Sequence, residues 1–321
     1  MSFFTDYEKH VSEREKEGVP PLALNAKQTS EICELMRHAG NSSGDEKAQN
    51  ELKFLINLLT NRVNPGVDDA AKIKAEFLGE VIDGLKIDGL DAVRAIKILG
   101  KMLGGYNVEI LVRALKNSDE TIAQAASNEL KNIILVHEHF DEIANLANSN
   151  KFAKEVLASW ANAEWFTHKK PLDECIKAVV FKVPGETNTD DLSPASEAYT
   201  RADIPLHAKA MLVKKMPEGL EILKELKSLG KSVAYVGDVV GTGSSRKSGI
   251  NSIQWHLGDE IEGVPNKKTG GIVIGTTIAP IFFNTAEDSG ALPMVANVNE
   301  LEMGNEIEIY PFKGEIYKLE G

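Results

Sequence analysis

Gly237-Asp238-Val239-Val240-Gly241-Thr242-Gly243-Ser244-Ser245-Arg246-Lys247-Ser248 lies between a strand-like run, 232–236, and a helix-like run, 250–257. Glycines let the backbone turn sharply and come close to a ligand. Two hydroxyls and an arginine then fall at a helix N-terminus, where free N–H groups and the helix dipole favour an anion. The stretch therefore has the parts needed to hold a carboxylate or phosphate against a serine. A Walker A loop needs glycine immediately before its lysine, but Arg246 precedes Lys247. A dinucleotide fingerprint beginning at Gly241 needs glycine or alanine at 246 and meets arginine. The plainer alternative, a strand-to-helix turn whose serines only cap the helix, stays open on these residues alone.

The chain has 321 residues, enough for two ordinary domains, each with its own core. Its 42% hydrophobic and 26% charged residues are those of a globular chain. No segment has the apolar length of a membrane span, and the N-terminus turns charged too soon for a signal peptide. Cys33 and Cys175 stand far apart, which fits a reducing cytoplasm, and two cysteines do not build a cluster site. Net charge is −12, and residues 175–321 hold 15 Lys and Arg against 20 Asp and Glu, leaving 21 against 28 for the rest. Neither part is basic, so a broad electrostatic grip on nucleic acid is not indicated. A small anion must be held by a few local arginines, with Arg201 and Arg246 as candidates.

Outward from the loop, the two halves read differently. Apolar residues recur at helical spacing over 26–39, 50–59, 67–82, 90–103, 108–115, 120–136 and 152–166, and Gly104-Gly105 reads as a helix stop. Successive amphipathic helices with short turns predict antiparallel pairs stacked as a HEAT-like solenoid, a plain bundle being the alternative. From Lys169-Lys170-Pro171 onward the pattern changes. Strands are expected at 176–183, 232–236, 271–274 and 306–310, and helices at 205–211, 219–229, 250–257 and 279–289. The fold class is thus multi-domain: an all-α domain over 1–168, then an α/β domain over 169–321. Residues 310–317 read as a strand, a turn and a returning strand, from which the second domain is expected to be cut off at its C-terminal end.

Four ordered motifs carry a resemblance: 185–194 (Gly-Glu-Thr-Asn-Thr-Asp-Asp-Leu-Ser-Pro), Arg201, 243–246 (Gly-Ser-Ser-Arg) and 278–284 (Ile-Ala-Pro-Ile-Phe-Phe-Asn). They resemble the swivel domain of the aconitase superfamily. Segments 11–21, 58–68, 104–107 and 159–166 are similar to its aconitase B branch, which places a HEAT-like domain ahead of the swivel. The resemblance implies a hydro-lyase interconverting citrate and isocitrate through cis-aconitate, of which this chain is the N-terminal part. It implies Ser244 as the general base, with Arg246 and the Ser244-Ser245 backbone gripping a substrate carboxylate. It implies Arg201 on another carboxylate and Asp190 in a supporting catalytic role. The family's [4Fe-4S] cluster needs three cysteines and lies, with the acid histidines, in later domains. This chain is therefore expected to bind no metal and to be inactive alone.

The cysteine usage fits a cytoplasmic protein; the resemblance implies the remaining C-terminal domains as partners, with a homodimer and mRNA contact as further candidates. A second reading is a dimerisation, RNA- or partner-binding module with no catalysis of its own. A third is the small subunit of a related hydro-lyase, against which the helical extension argues. Other candidates read as structural. His137-x-His139 diverges at helical i, i+2 spacing and makes a poor zinc pair, His207 suits packing or capping, and Lys214-Lys215 and Lys267-Lys268 suit solvated loops.

Overall fold

The computed structural model describes residues 2–39, 46–198 and 203–319. It divides into two compact units, one of Met1–Val11, Pro21–Lys170 and Glu262–Pro265, the other of Ser12–Pro20, Pro171–Ile261 and Asn266–Gly321.

The first unit is helical. Its elements are α1 (Phe3–Lys16, in part), α2 (Ala26–Ala39), α3 (Glu46–Asn61), α4 (Asp69–Ile82), α5 (Ala92–Gly100), α6 (Val108–Leu115), α7 (Glu120–Leu130), α8 (Phe140–Leu146), α9 (Lys151–Ala161) and α10 (Glu164–Thr167). Side-chain caps start several of them: Asp68 accepts the Ala70 amide, Asp91 that of Arg94, Asp119 that of Thr121, and Asn150 those of Phe152 and Ala153. Each such cap stabilises its helix by about 1 kcal/mol. The apolar stripes then meet in one core, with Ile56, Leu59, Leu78, Ile96, Leu99 and Leu111 at 1% exposure or less.

Several boundaries differ from the periodicity, α3 extending beyond 50–59 at both ends, and three of the differences have a visible cause. Helix α5 ends at Gly100, and the chain then folds back so that Leu103 N–H bonds Pro65 O at 2.7 Å. Gly104 is needed there because a Cβ would lie 2.3 Å from the Gly66 carbonyl oxygen. Helix α7 stops at Leu130, whose carbonyl accepts the Trp160 indole N–H at 3.0 Å, and the β-branched residues that follow it leave the helix. The single helix expected over 152–166 breaks at Ala163, which adopts a left-handed φ of 52°. Helices α1 and α8 had no counterpart in the periodicity.

The second unit is α/β. Its order is β1 (Ile176–Asn188), α11 (Thr189–Leu192), α12 (Ile204–Ala208), α13 (Gly219–Ser228), β2 (Ser232–Thr242), α14 (Arg246–Leu257), β3 (Asp259–Ile261), β4 (Val264–Thr269), β5 (Ile272–Ile278), α15 (Pro280–Asp288), β6 (Leu292–Val295), β7 (Glu306–Tyr310) and β8 (Glu315–Lys318). Six strands form one mixed sheet in the order β6-β5-β2-β1-β7-β8, while β3 and β4 pair with each other. Strands β6, β5, β2 and β1 are parallel, β7 is antiparallel to β1, and β8 returns antiparallel to β7.

Both sheet faces are buried, and alternation sorts the side chains between them. Val179, Phe181, Val183, Tyr235 and Val273 pack with Leu223, Ile250, Ile253 and Phe282 on one face. Ala178, Val180, Ala234, Val236 and Ile274 pack with Val298, Leu301 and Ile307 on the other. Among the described residues no helix is long and apolar enough to cross a membrane.

Candidate functional site

Strands β1, β2 and β5 end at one edge, with Asn188 opposite Thr242 and Val240 opposite Ile278. The carboxyl edge of parallel strands is where open α/β sheets bind ligands, because helices begin there with free N–H groups. Strand β2 runs six residues further than its apolar run predicts, so Gly237 and Asp238 are strand residues. The turn itself is Gly243-Ser244-Ser245. Asp238 is held in place structurally. The Gly185 N–H at 2.6 Å, then the Lys182 ammonium at 3.0 Å, keep its carboxyl below the usual carboxylate range.

Two glycines make the turn possible. Gly241 has φ 81° and Gly243 φ 100°. A Cβ on Gly241 would lie 2.2 Å from the Phe282 ring, and one on Gly243 would lie 2.6 Å from Thr189 Oγ1. Phe282 belongs to the 278–284 motif, and this contact shows what it does there: it packs under the loop.

Helix α14 begins at Arg246, four residues before the expected start. The amides of Arg246, Lys247 and Ser248 therefore form its first turn and have no carbonyl four residues back to bond. Ser245 is the N-cap residue, but its side chain makes no capping bond. Its amide donates to Thr189 Oγ1 at 3.1 Å, and its carbonyl accepts from Ser248 Oγ at 3.1 Å. Ser244 is exposed, and its side chain has no hydrogen-bond partner among the described residues. Arg246 is half-buried and, among the described residues, has no acidic partner. Among the described residues, the loop therefore presents a free hydroxyl and an uncompensated guanidinium beside a helix N-terminus.

Asp190 reaches this loop through its neighbour Thr189. Asn188 Oδ1 accepts the amides of Asp190 and Asp191 while Asp191 Oδ2 accepts the Asn188 amide, a reciprocal capping box that starts α11. Asp190 itself is exposed and accepts the Ala195 amide at 2.7 Å. Arg201 lies outside the described residues.

Nearby, Asp203 accepts from the buried Arg14 guanidinium at 2.6 Å and from Asn266 Nδ2 at 3.2 Å. A cavity of about 440 Å³ opens beside α14, with Asp203, His207, Ser248, Asn251 and Ser252 in its wall. His207 Nε2 donates to the Pro194 carbonyl at 3.0 Å, tying α12 to the turn after α11. His139 lies on a short 3-10 turn with Nδ1 3.3 Å from the Glu142 carboxylate. Among the described residues no group of three His, Cys, Asp or Glu is placed to hold a metal ion. Sequence reasoning gave no role to Thr189 or to the Thr242 hydroxyl, which donates to Glu186 at 2.6 Å. Adjacency to the Thr-Asp motif was the one available signal for Thr189.

A helical unit followed by a mixed α/β unit, with a Gly-Ser-Ser-Arg loop at the parallel edge, is the setting in which family likeness can be judged. The chain belongs to the aconitate B N-terminal domain family, whose model matches residues 6–166, and the model of the aconitate hydratase 2 N-terminus matches residues 178–321. It is 55% identical over 315 residues to aconitate hydratase B of Helicobacter pylori, a match covering 98% of this chain and 36% of that protein. The proteins of the same name from Synechocystis and Escherichia coli are 52% and 48% identical, covering 98% and 97% of this chain and again 36% of each relative. The chain thus spans about a third of the length of these relatives.

Proposed function

We propose that this chain is the N-terminal part of a hydro-lyase that interconverts citrate and isocitrate through cis-aconitate. We read residues 1–168 as a HEAT-like helical domain and 169–321 as a swivel domain that carries the base side of the site. The observation that carries the proposal is the exposed Ser244 hydroxyl, without a hydrogen-bond partner among the described residues, beside Arg246 at the start of α14, in a chain of this family.

The chemistry asked of these residues is proton removal from the carbon beside a carboxylate. A neutral serine is a weak base at pH 7, so its alkoxide needs cations and oriented donors. The first-turn amides of α14 and the Arg246 guanidinium supply both. As the proton leaves, negative charge moves onto the substrate carboxylate. Arg246 suits that charge because its planar fork binds carboxylates at two points and stays protonated. Arg201 is assigned to a second carboxylate, and Asp190, in the first turn of α11, to a supporting catalytic role.

The residues of this chain do not fit the family's [4Fe-4S] cluster. There are two cysteines, and burial pushes the Cys33 thiol up to about 12, so it is a poor source of thiolate. The cluster and the acid that expels hydroxide are assigned to the domains that follow in the full-length protein. The steps this chain accounts for are carboxylate binding and proton transfer.

The test is a steady-state assay of citrate and isocitrate interconversion, run on the full-length protein and on this chain alone. The full-length protein should turn over and the isolated chain should not. A full-length protein, cluster intact, that ignores citrate and dehydrates another hydroxy acid overturns the substrate assignment.

A further inference from the structure

We propose that Thr189 is a positioning residue whose hydroxyl holds the loop bearing Ser244 in its active shape, an inference that rests on the hydro-lyase reading for its kinetic consequence. Three observations carry it. Thr189 Oγ1 accepts the Ser245 amide at 3.1 Å, and it fills the space where a Gly243 side chain would be, 2.6 Å from that Cβ. One oxygen therefore bonds the residue after Ser244 and packs closely against the residue before it. Thr189 is 2% exposed and cannot drift, because the capping box of Asn188 and Asp191 closes around it.

What this arrangement leaves free is as informative as what it binds. The Ser245 amide, which the resemblance gives to a substrate carboxylate, is instead bonded to Thr189 Oγ1, so in this proposal it serves the loop and not the substrate. A carboxylate at the loop meets the Ser244 hydroxyl and the first-turn amides of α14. The Ser244 side chain sits at the apex of a turn clamped on either side, which is the geometry a base needs when misplacement by an ångström is costly. The clamp requires an oxygen. Valine would match the shape of threonine but would leave the half-buried Ser245 N–H without an acceptor.

The experiment compares Thr189→Val, Thr189→Ser and Ser244→Ala in the full-length protein, with amide hydrogen exchange at Ser245 followed in this chain. Thr189→Val should lower kcat roughly 10²-fold. KM should stay within about threefold, since positioning acts on the reacting geometry more than on binding. Thr189→Ser should restore kcat to within about tenfold of the parent because it keeps the acceptor. Ser245 exchange should quicken in Thr189→Val and stay slow in Thr189→Ser. Unchanged kcat in Thr189→Val, equal loss in both variants, or Ser245 exchange that ignores the substitution overturns the proposal. If Ser244→Ala retains full turnover, the hydro-lyase roles fail instead, and the exchange measurement still decides whether Thr189 holds the loop.

Discussion

Gly241 and Phe282 are in contact in a way no other residue at 241 would allow: a Cβ there would sit 2.2 Å from the ring, and the backbone holds φ at 81°. Phe282 is fully buried and anchors the start of α15, while Gly241 is the last residue but one of β2. The contact therefore sets where the strand stops and the loop bearing Ser244 begins.

Gly241→Ala should destabilise the fold by about 2–5 kcal/mol, combining a left-handed penalty of about 1–2 with overpacking of about 1–3. Phe282→Leu in the same background should recover part of that loss by making room. Urea denaturation of the parent and the two variants checks this, and a Gly241→Ala protein as stable as the parent would refute the packing argument.

Ser244→Ala should separate catalysis from capping. A base removed typically costs about 10²–10⁴-fold in rate, whereas a serine cap lost costs about 1 kcal/mol. Ser244 makes no side-chain hydrogen bond among the described residues, so the melting temperature should hardly move. Turnover per folded molecule and melting temperature, measured together in the full-length protein, decide between the two roles.

Arg246→Lys should raise KM about tenfold or more while the protein folds normally, because lysine keeps the charge but loses the two-point fork. Added salt should weaken substrate binding further in the variant than in the parent, since a point charge without directed bonds is more easily screened. Isothermal titration with a tricarboxylate checks both.

Lys74 gives the helical unit a pH signature. The residue is 2% exposed, its ammonium donates to the Thr60 carbonyl at 3.1 Å, and burial lowers its pKa from 10.5 to about 8. Between pH 8 and 10.5 the unfolded chain therefore holds the proton that the folded chain has lost. Stability contributed by this group must then rise with pH across that window. The gain is on the order of 3 kcal/mol, since each tenfold change in a protonation equilibrium is worth about 1.36 kcal/mol. Lys74→Met should remove that slope and should be no less stable than the parent at pH 7. Denaturation curves at pH 7, 8.5 and 10 test it, and parallel pH profiles for parent and variant would count against a buried ammonium.

Much of this was legible in the residues. Helix α2 and helix α6 run over the residues their apolar spacing marks, because a stripe of period 3.6 is buried only if the chain is helical there. Strand β7 and its return through β8 were readable as a hairpin for the matching reason at period two. The breaks were not legible. Nothing local marks Ala163 as left-handed, and the end of α7 depends on the Trp160 indole reaching a carbonyl 30 residues earlier.

The loop shows the same division. The sequence by itself determined its ingredients, glycines at 241 and 243, two serines and an arginine, and with them the family likeness, because these depend on residue type and spacing alone. Only the tertiary structure decided that β2 persists to Thr242, that α14 opens at Arg246, and that Ser245 gives its amide to a threonine 56 residues away. Those outcomes follow from parallel pairing of β2 with β1 and β5 and from Phe282 and Thr189 closing over the glycines. A hydrogen bond or a steric contact between distant segments leaves no period in either one, so it becomes visible when the sheet brings them together.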